Sequence, residues 1–510
     1  MVDDPKTDAG AEGAPPPISE LLAERRGKLD RLREQGVDPF PPEWPDRTLI
    51  AEVRVSHRDL EAGAETDSRY RLAGRLEGRR GHGKAAFLDL RDASGLLQLH
   101  ARLDVLGEGA FALLTGLDLG DIVGVEGTAF SSRRGELSLK VDDVRVLAKT
   151  LRPPPDRHHG LADTETRSRH RELDLMANED ARERFLTRSR IVAGVRRWLD
   201  GRGFVEVETP VLQPLYGGAL ARPFTTHHNA LDRDLYLRIA TELYLKRCVV
   251  GGIERVYELG KDFRNEGISP KHNPEFTMVE WYEAYADYTD AAARLEQLVA
   301  DVATDVLDGT TVDRTGPGGE AATIDLAPPW RRIDLREAIA DATGIDIDDH
   351  PDRDALAAAI SSAPGVDHQP ADDEGWGKLV DALFSDHVEP TLIQPTFVRD
   401  YPVALSPFAK DHRERLGYVE RWEAFAGGME IANAFSELND PDEQRRRFDA
   451  QRAEPARGDA EAQPHDEDFI MALEHGMPPT AGVGLGIDRL VVLLTDAPSI
   501  REVVLFPAMR

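Results

Sequence analysis

The sequence predicts an α+β protein in which a small β-domain precedes a larger domain of mixed helices and strands. Residues 70–147 form short alternating runs separated by glycine-rich turns, a spacing typical of a small closed barrel or sandwich. From about residue 165, amphipathic helical segments alternate with strand-like segments. At 510 residues the chain is also long enough for several domains, each with its own core.

Composition and periodicity divide the chain further. Residues 1–17 are predicted to be a disordered acidic leader, because they lack the basic and apolar regions of a signal peptide. A charged surface helix, over about 18–36, and the β-domain together occupy 18–150. Residues 151–164 are predicted to be a proline-rich linker, and the large domain, 165–510, carries an insertion at about 308–390.

Charge and cysteine content restrict the class of protein. The 93 acidic residues exceed the 63 basic ones, giving a net charge of -30 that repels phosphate, so any polyanion must dock on a local patch. The single cysteine, Cys248, excludes an intrachain disulfide and favours the reducing cytosol. No apolar run is long enough to span a bilayer. We therefore expect a cytoplasmic protein.

The stretch FRNEGISPKHNPEFT, residues 263–277, gathers cations and hydrogen-bond donors in this acidic chain. The segments on either side alternate as strands, so the stretch is predicted to be the long loop of an antiparallel hairpin. On the second strand Phe276, Met278, Glu280 and Tyr282 share one face, because side chains alternate along a strand. A solvated hairpin with one wet face would show the same pattern.

Two further segments carry polar groups at strand spacing. In MEIANAFSELND the residues Asn433, Phe435 and Glu437 share one face, with small residues on the other. Glu423 and Glu430 flank the preceding glycine turn, a spacing that would let two carboxylates meet around a divalent cation. Acidic pairs are also common by chance in so acidic a chain.

The stretch AGVGLGIDRLVVLL, residues 481–494, predicts a glycine-rich strand that leads into an apolar helix with Arg489 in its first turn. It is not a dinucleotide fingerprint, because its glycines lack the third position of G-x-G-x-x-G and no βαβ unit surrounds them. A cation at a helix start adds to the positive end of the helix dipole. An anion bound nearby would relieve that repulsion.

Three segments resemble, in order, the signature motifs of class II aminoacyl-tRNA synthetases: GFVEVETPVLQP with Pro210, FRNEG…HNPEFT with Arg264, and GLGIDRL with Arg489. The segments GGALARPF, ELYLKR, VVGGIERVYE, LIQPTF, IANAFSELND and LFPAMR are similar to those of class II lysyl-tRNA synthetases. The resemblance runs from about residue 20 to the end. It implies an OB-fold anticodon-binding barrel, then a catalytic domain built on an antiparallel sheet flanked by helices.

The resemblance implies a lysine-tRNA ligase that makes lysyl-adenylate and pyrophosphate from lysine and ATP, then passes the lysyl group to the terminal ribose of tRNA(Lys). Arg264 would contact the α-phosphate and Arg489 the γ-phosphate, as catalytic residues. Glu423 and Glu430 match the ligands of Mg²⁺, the implied cofactor. The residues assigned to ATP are Arg264, Glu266, His272, Asn273, Phe276 and Arg489.

The lysine pocket follows from the residues as well as from the resemblance. Glu242, Glu280 and Glu437 lie in otherwise apolar segments, and buried carboxylates need a cationic partner. The resemblance puts lysine there, with its ionised carboxylate attacking ATP without a general base, so positioning and charge neutralisation carry the reaction. The resemblance assigns Glu280, Tyr282 and Glu437 to the side-chain ammonium of lysine, Glu242 and Gly218 to its α-amino end, and Asn433 and Phe435 to the slot between them.

The β-domain would bind the anticodon. Seven basic residues outnumber two acidic ones within residues 69–91, which predicts a local positive patch. The resemblance assigns Phe87 as a stacking platform for a base, with Arg80, Gln98 and Glu136 contacting base edges. On the pattern alone, Phe87 would instead be a barrel core residue.

Three rival functions make different demands on the sequence. A paralogue that modifies an elongation factor lacks the N-terminal anticodon domain, and an aspartyl or asparaginyl synthetase needs a cationic pocket where this chain has Glu280 and Glu437. A catalytically dead or regulatory RNA-binding paralogue would be expected to lose Arg264, Arg489 or the metal carboxylates, which are all present. The helix and the FVEVETPVL segment of the first motif resemble the family's subunit interface, and WLDGRGFVEV offers apolar surface to a partner, which implies a homodimer.

Overall fold

The computed structural model divides the chain between Gly160 and Leu161 into two units, each with a core of its own. It describes residues 18–81, 83–155, 161–219, 221–315, 321–372, 374–453 and 465–509. The predicted leader, residues 156–160 of the predicted linker, and residues 316–320 and 373 of the predicted insertion lie outside these ranges. None of the described helices is long and apolar enough to cross a membrane.

The first unit contains a closed five-stranded barrel, which confirms the predicted OB fold. Its elements are α1 (Ile18–Glu34), α2 (Ile50–Ser56), β1 (Glu65–Arg80), β2 (Ala85–Asp92), β3 (Gly95–Arg102), α3 (Leu103–Gly116), β4 (Ile122–Ser131) and β5 (Leu137–Ala148). The strands close in the order β1-β2-β3-β5-β4, and every neighbouring pair is antiparallel except β3 with β5. Helix α1 confirms the predicted N-terminal helix.

Side chains alternate between the inside and the outside of this barrel. Leu88, Leu90 and Leu99 are buried inside, where removing apolar area from water stabilises the closed sheet. Phe87 faces the other way and stacks on His100, with 4.6 Å between the ring centroids. The interpretation of Phe87 as a barrel core residue is therefore wrong.

Several basic residues of β1 and β2 pair with carboxylates. Arg69 pairs with Glu126 at 3.0 Å, and Arg91 pairs with Glu77 at 2.9 Å. Arg79 donates hydrogen bonds to backbone carbonyl oxygens, which leave its charge in place. The ion pairs reduce the positive charge of the run, and the positive patch stays a prediction.

An eight-stranded sheet forms the base of the second unit, and two smaller sheets accompany it. The strands are β6 (Val205–Glu206), β7 (Leu212–Gln213), β8 (Thr225–His228), β9 (Arg233–Leu237), β10 (Arg255–Phe263), β11 (Glu275–Ala284), β12 (Thr311–Thr315), β13 (Ala321–Asp325), β14 (Arg331–Asp334), β15 (Thr396–Pro402), β16 (Tyr418–Phe425), β17 (Glu430–Ser436) and β18 (Thr480–Gly486). The main sheet has the order β14-β15-β16-β17-β18-β11-β10-β6. Its inner pairs are antiparallel, and its two edge pairs are parallel.

Helices pack on both faces of this sheet. They are α4 (Thr164–Arg169), α5 (Arg171–Ala177), α6 (Glu179–Asp200), α7 (Glu242–Val250), α8 (Tyr288–Leu307), α9 (Leu335–Thr343), α10 (Arg353–Ser362), α11 (Trp376–His387), α12 (Pro441–Ala453), α13 (Glu467–Glu474) and α14 (Ile487–Leu494). The buried Val279, Trp281 and Val483 of the sheet share a core with apolar residues of α6, α8 and α14. Strand alternation then turns the residues between them toward the opposite face.

The segment FVEVETPVL is a strand over Val205–Glu206, where β6 pairs with β10, and again only at Leu212, where β7 begins. Pro210 has no N–H to donate, and the amide of Thr209 donates to the Glu258 side chain at 3.0 Å instead of to a neighbouring strand. The prediction of one continuous strand here is wrong. The side chain of Glu258 on β10 accepts the hydrogen bond that a neighbouring strand would accept in the predicted continuous strand.

The described part of the predicted insertion folds into β12 to β14, α9 to α11 and short 3₁₀ turns. Its apolar residues share a core with β15 and β16, including Leu379, Val398 and Val419. Glu389, in a 3₁₀ turn near the end of this segment, accepts a hydrogen bond of 2.7 Å from Lys271 in the β10–β11 loop. The segment therefore supports the loop that the sequence analysis singled out.

Candidate active site

Four neighbouring strands, β16, β17, β18 and β11, present their polar residues on the face opposite α6, α8 and α14. Glu280 lies beside Gly484, which lies beside Asn433, which lies beside Glu423. This line crosses all four strands in register. Alternation alone could not predict it, because register between strands distant in sequence depends on the folded sheet.

The glycines of β18 leave space in the middle of this face. A Cβ atom at Gly482 would lie 2.0 Å from Oε1 of Glu437 and 2.4 Å from Cε1 of Tyr282. A Cβ atom at Gly484 would lie 3.1 Å from the methyl carbon of Met278. The glycine-rich strand is therefore the floor of a cavity, and any larger residue at position 482 would fill it.

A cavity of about 710 Å³ lies above this floor. All but one of the residues assigned to ATP, lysine and metal line it. They are Gly218, Glu242, Arg264, Glu266, His272, Asn273, Phe276, Glu280, Tyr282, Glu423, Glu430, Asn433, Phe435 and Arg489.

One end of the cavity is cationic. Arg264 follows β10 and holds its guanidinium carbon 5.1 Å from the ring centroid of Phe276. Its buried Nε has no hydrogen-bond partner in the described part of the chain. A buried donor without a partner is costly, so this end is built to receive an acceptor.

Arg489, in the first turn of α14, supplies the second cation. It donates to the carboxylate of Glu430 at 2.7 Å and lies 3.4 Å from Nε2 of His272. Burial, together with the charge of Arg489, lowers the pKa of His272, which keeps that ring neutral. Without a ligand, Glu430 thus supplies the negative charge that the cation at this helix start was predicted to need.

The remaining loop residues have separate tasks. The amide of Asn273 donates to the carbonyl of Glu275 at 2.6 Å, and its Oδ1 accepts from the backbone of Ala508 at 3.3 Å. Asn273 therefore ties the loop to the C-terminal segment as well as lining the cavity. Glu266 is exposed at the cavity mouth.

Glu423 and Glu430 lie on adjacent strands and both face the cavity. Burial, together with the nearby charge of Glu430, raises the pKa of Glu423 to about 7, although Arg421 opposes this. No group of three or more potential metal ligands occurs in the described residues. Two carboxylates nevertheless suit Mg²⁺, which is commonly held by one or two carboxylates together with substrate phosphates.

The other end of the cavity is acidic and dry. Glu280 accepts hydrogen bonds from the amide of Thr241 at 3.1 Å and from the hydroxyl of Tyr282 at 3.2 Å. Burial, reinforced by the charges of Asp262 and Glu242, raises the pKa of Glu280 to about 8. Carboxylates held so far from water favour a cationic ligand, since they otherwise keep their protons.

Glu437 is the assigned residue that does not line the cavity. It follows β17, is 1% exposed and lies over Gly482 on the side where a side chain at that position would point, and the ammonium of Lys246 contacts its carboxylate. Burial raises the pKa of Glu437 to about 8 although Lys246 opposes this. In this structure the carboxylate is therefore paired with Lys246 instead of open to the cavity.

Sequence reasoning missed three functional side chains near the cavity. Lys246 contacts two of the assigned carboxylates, Arg421 lies on the wall beside Asn433, and Arg238 lies between Glu258 and Asp262 under the β10–β11 hairpin. The only signal for Lys246 was its position one helical turn after Glu242. Arg238 gave no signal, because its partners come from another strand.

The residues assigned to base recognition share the outer surface of the barrel. Arg80 lies opposite Phe87, and Gln98 lies opposite Asp89, on neighbouring strands. Arg80 is exposed and 3.2 Å from Asp89. Glu136 lies in the exposed turn between β4 and β5.

Comparison with known proteins agrees with both units. Residues 163–510 match the model described as tRNA synthetases class II (D, K and N), and residues 70–147 match the OB-fold nucleic acid binding domain. A protein of Moorella thermoacetica named lysine–tRNA ligase is 52% identical over 96% of this chain and 98% of its own. Its namesake from a Synechococcus strain is 53% identical over 97% of this chain and 98% of its own.

The glycine-floored sheet and the OB barrel thus define a class II aminoacyl-tRNA synthetase. Within that class, the chain belongs to the family of tRNA synthetases for D, K and N.

The raised pKa values predict that the ligand-free protein becomes less stable as pH rises. A carboxyl group whose pKa in the folded state is about 8, instead of its ordinary 4.5, stabilises the fold below 4.5 and loses that contribution as pH approaches 8. We expect the melting temperature to decrease as the pH is raised from about 5 to about 8. Glu280→Gln should make the fall shallower, and an identical pH dependence in this variant would contradict the assignment.

Proposed function

We propose that the chain is a lysine-tRNA ligase that activates lysine with ATP and transfers it to tRNA(Lys). The observation that carries this proposal is a single cavity with unsatisfied positive charge at one end and buried carboxylates at the other. The full-length relatives named lysine–tRNA ligase support the same reaction. A catalytically dead paralogue has no support, because both arginines and both metal carboxylates line the cavity.

Charge counting supports lysine as the amino acid. Glu242, Glu280 and Glu437 contribute three potential negative charges, and the ammonium of Lys246 contacts two of these carboxylates. Arg421, the other cation on the wall, pairs with a different carboxylate, Glu423. Two negative charges thus remain, and lysine carries two ammonium groups. An aspartate or asparagine side chain would add nothing to neutralise them.

The positive end suits the triphosphate. Arg264 would bind the α-phosphate through its planar guanidinium, with the adenine on Phe276 and Arg489 near the γ-phosphate. The lysine carboxylate attacks the α-phosphorus, its oxygen forms the new bond, and pyrophosphate leaves with the electron pair of the broken P–O bond. The carboxylate needs no general base, so positioning and neutralisation of phosphate charge carry the reaction.

Glu423 and Glu430 would hold Mg²⁺ together with the phosphates. The ion would neutralise phosphate charge during the transfer. Binding there would require Glu430 to exchange its contact with Arg489, which would release that guanidinium toward the γ-phosphate. The charges of Glu423, Glu430, Arg264 and Arg489 would therefore be balanced together by the metal ion and the phosphates.

The barrel would bind the anticodon through the outer surface formed by Arg80, Phe87, Gln98 and Glu136. Phe87 is partly exposed and already stacked on one ring, as a platform for a base requires.

We further propose a homodimer, because Leu186, Val205 and Leu212 of the first signature motif region are 53%, 50% and 48% exposed. Because tRNA is charged in the cytoplasm, we propose that compartment for the protein.

The direct test is pyrophosphate exchange into ATP with each of the twenty amino acids. We expect exchange with lysine alone. Exchange driven best by aspartate or asparagine would reassign the chain within its family, and no exchange with any amino acid would favour the catalytically dead paralogue.

Glu280→Gln should weaken lysine binding by roughly 1.5 to 3 kcal/mol, about tenfold or more, because it removes a charged hydrogen-bond partner of an ammonium. The KM for ATP should change little.

At pH 7 the wild type should also release a proton on binding lysine, since the carboxyl group of Glu280 has a pKa of about 8 until the lysine ammonium binds beside it. Heats of binding measured in two buffers would show that release, and Glu280→Gln should reduce it.

Glu283→Gln is the matched control for that experiment. Glu283 lies on the same strand, but its carboxylate pairs with Arg255 and Arg294 outside the cavity. This control should lower stability and leave the KM for lysine unchanged. Equal effects of the two variants on lysine would show that Glu280 acts only through the fold.

Phe87→Ala should reduce charging of tRNA while lysine-dependent exchange stays near the wild-type rate. Loss of one stacked base corresponds to about 1 to 3 kcal/mol of tRNA binding. Stability should change by about 1 kcal/mol, from the lost contact with His100. Leu99→Ala is the control, because it opens the barrel core and should cost about 2 to 5 kcal/mol of stability. A melt of Phe87→Ala as low as that of Leu99→Ala would contradict the assignment.

A further inference from the structure

Lys246 is a fully buried cation beside the lysine pocket. It lies on α7 one turn after Glu242, and its Nζ is 2.6 Å from Oε1 of that residue. The same ammonium contacts the carboxylate of Glu437 and lies 5.2 Å from the ring centroid of Phe408. One internal ammonium therefore joins a helix to the end of β17.

Lys246 does not line the cavity, so it is not a ligand of the substrate. The two carboxylates that it contacts are assigned to opposite ends of the substrate, Glu242 to the α-amino group and Glu437 to the side-chain ammonium. A cation between them sets how far apart and in which direction these two carboxylates stand.

A purely stabilising role explains this arrangement poorly. Burying an ion pair seldom stabilises a fold more than apolar residues of the same volume would, because both groups lose their hydration. Burial opposes the charge of Lys246, but Glu242 and Glu437 outweigh it and raise its pKa, so the ammonium persists. The ammonium also acts on Glu242 and Glu437, because its positive charge opposes the rise in pKa that burial causes in both carboxyl groups.

We propose that Lys246 is a positioning residue for lysine recognition: its ammonium holds the carboxylates of Glu242 and Glu437 in place and offsets one of the pocket's three potential negative charges, so that two remain for the substrate's two ammonium groups. The inference rests on the proposed function and deepens it. The charged or titratable groups that face this ammonium or its two partners come from four elements. They are Glu242 on α7, Glu437 after β17, Glu280 and Tyr282 on β11, and Arg421 on β16.

The test compares Lys246→Met with the wild type in lysine-dependent pyrophosphate exchange. The variant keeps the length of the side chain and removes its charge. We expect the KM for lysine to rise about tenfold or more, the size of coupling that groups in direct contact commonly show, while the KM for ATP changes less than twofold. The pH at which the lysine KM reaches its minimum should move upward, because the carboxylates then hold their protons to higher pH.

Two further variants separate positioning from folding. Lys246→Arg retains the positive charge and should restore the pH profile and much of the lysine affinity. If Lys246→Met does not fold, Lys246→Met combined with Glu437→Gln removes one of the unpaired carboxylates and should show the same selective loss of lysine affinity. Lys261→Met is the matched control, since Lys261 is partly exposed on β10, 3.5 Å from Glu275 and outside the cavity wall.

The outcomes are distinct. A lower melting temperature with unchanged lysine KM and pH profile in the Lys246 variants would overturn the inference and leave the proposed function standing. Equal losses of lysine and ATP affinity would overturn it as well. A wild type without lysine-dependent exchange would overturn the proposed function itself.

Discussion

The separation of charge along one cavity is the constraint on which the rest of this structure depends. Arg264 and Arg489 stand at one end and the buried carboxylates at the other, and the glycine backbone of β18 forms the floor of the cavity. Opposite charges so close would collapse onto one another if side chains could reach across. The register of four strands and the absence of a side chain at Gly482 hold them apart, so that a substrate with matching charges can span the gap.

That separation has a cost in the ligand-free protein. Buried carboxylates lose hydration, and several of them keep protons at neutral pH as a result. Internal partners reduce the cost at both ends: Glu430 meets Arg489, and Lys246 meets Glu242 and Glu437. These contacts resemble the ones that the substrates would make, which explains how one site can be stable when empty and still bind charged ligands strongly.

The barrel follows a different physical rule. Its inside is apolar, so closure depends on hydrophobic burial, and its outside is free to carry aromatic and polar side chains at no cost to the core. The outward position of Phe87 follows directly from this alternation. Some arginines on this outer surface have acidic partners, which reduce its positive charge.

Local pattern in the sequence was sufficient for much of this protein. Alternation gave the five barrel strands, the β10–β11 hairpin and the face shared by Phe276, Glu280 and Tyr282, because side-chain direction along a strand depends only on its period of two. Of the residues that motif resemblance assigned to ATP, lysine and metal, all but Glu437 line the cavity. Only the tertiary structure decided which charges meet. Lys246 beside Glu437, the ion-paired arginines of the barrel and the broken strand at Pro210 all depend on partners far away in the chain, and no local period encodes the register that joins them.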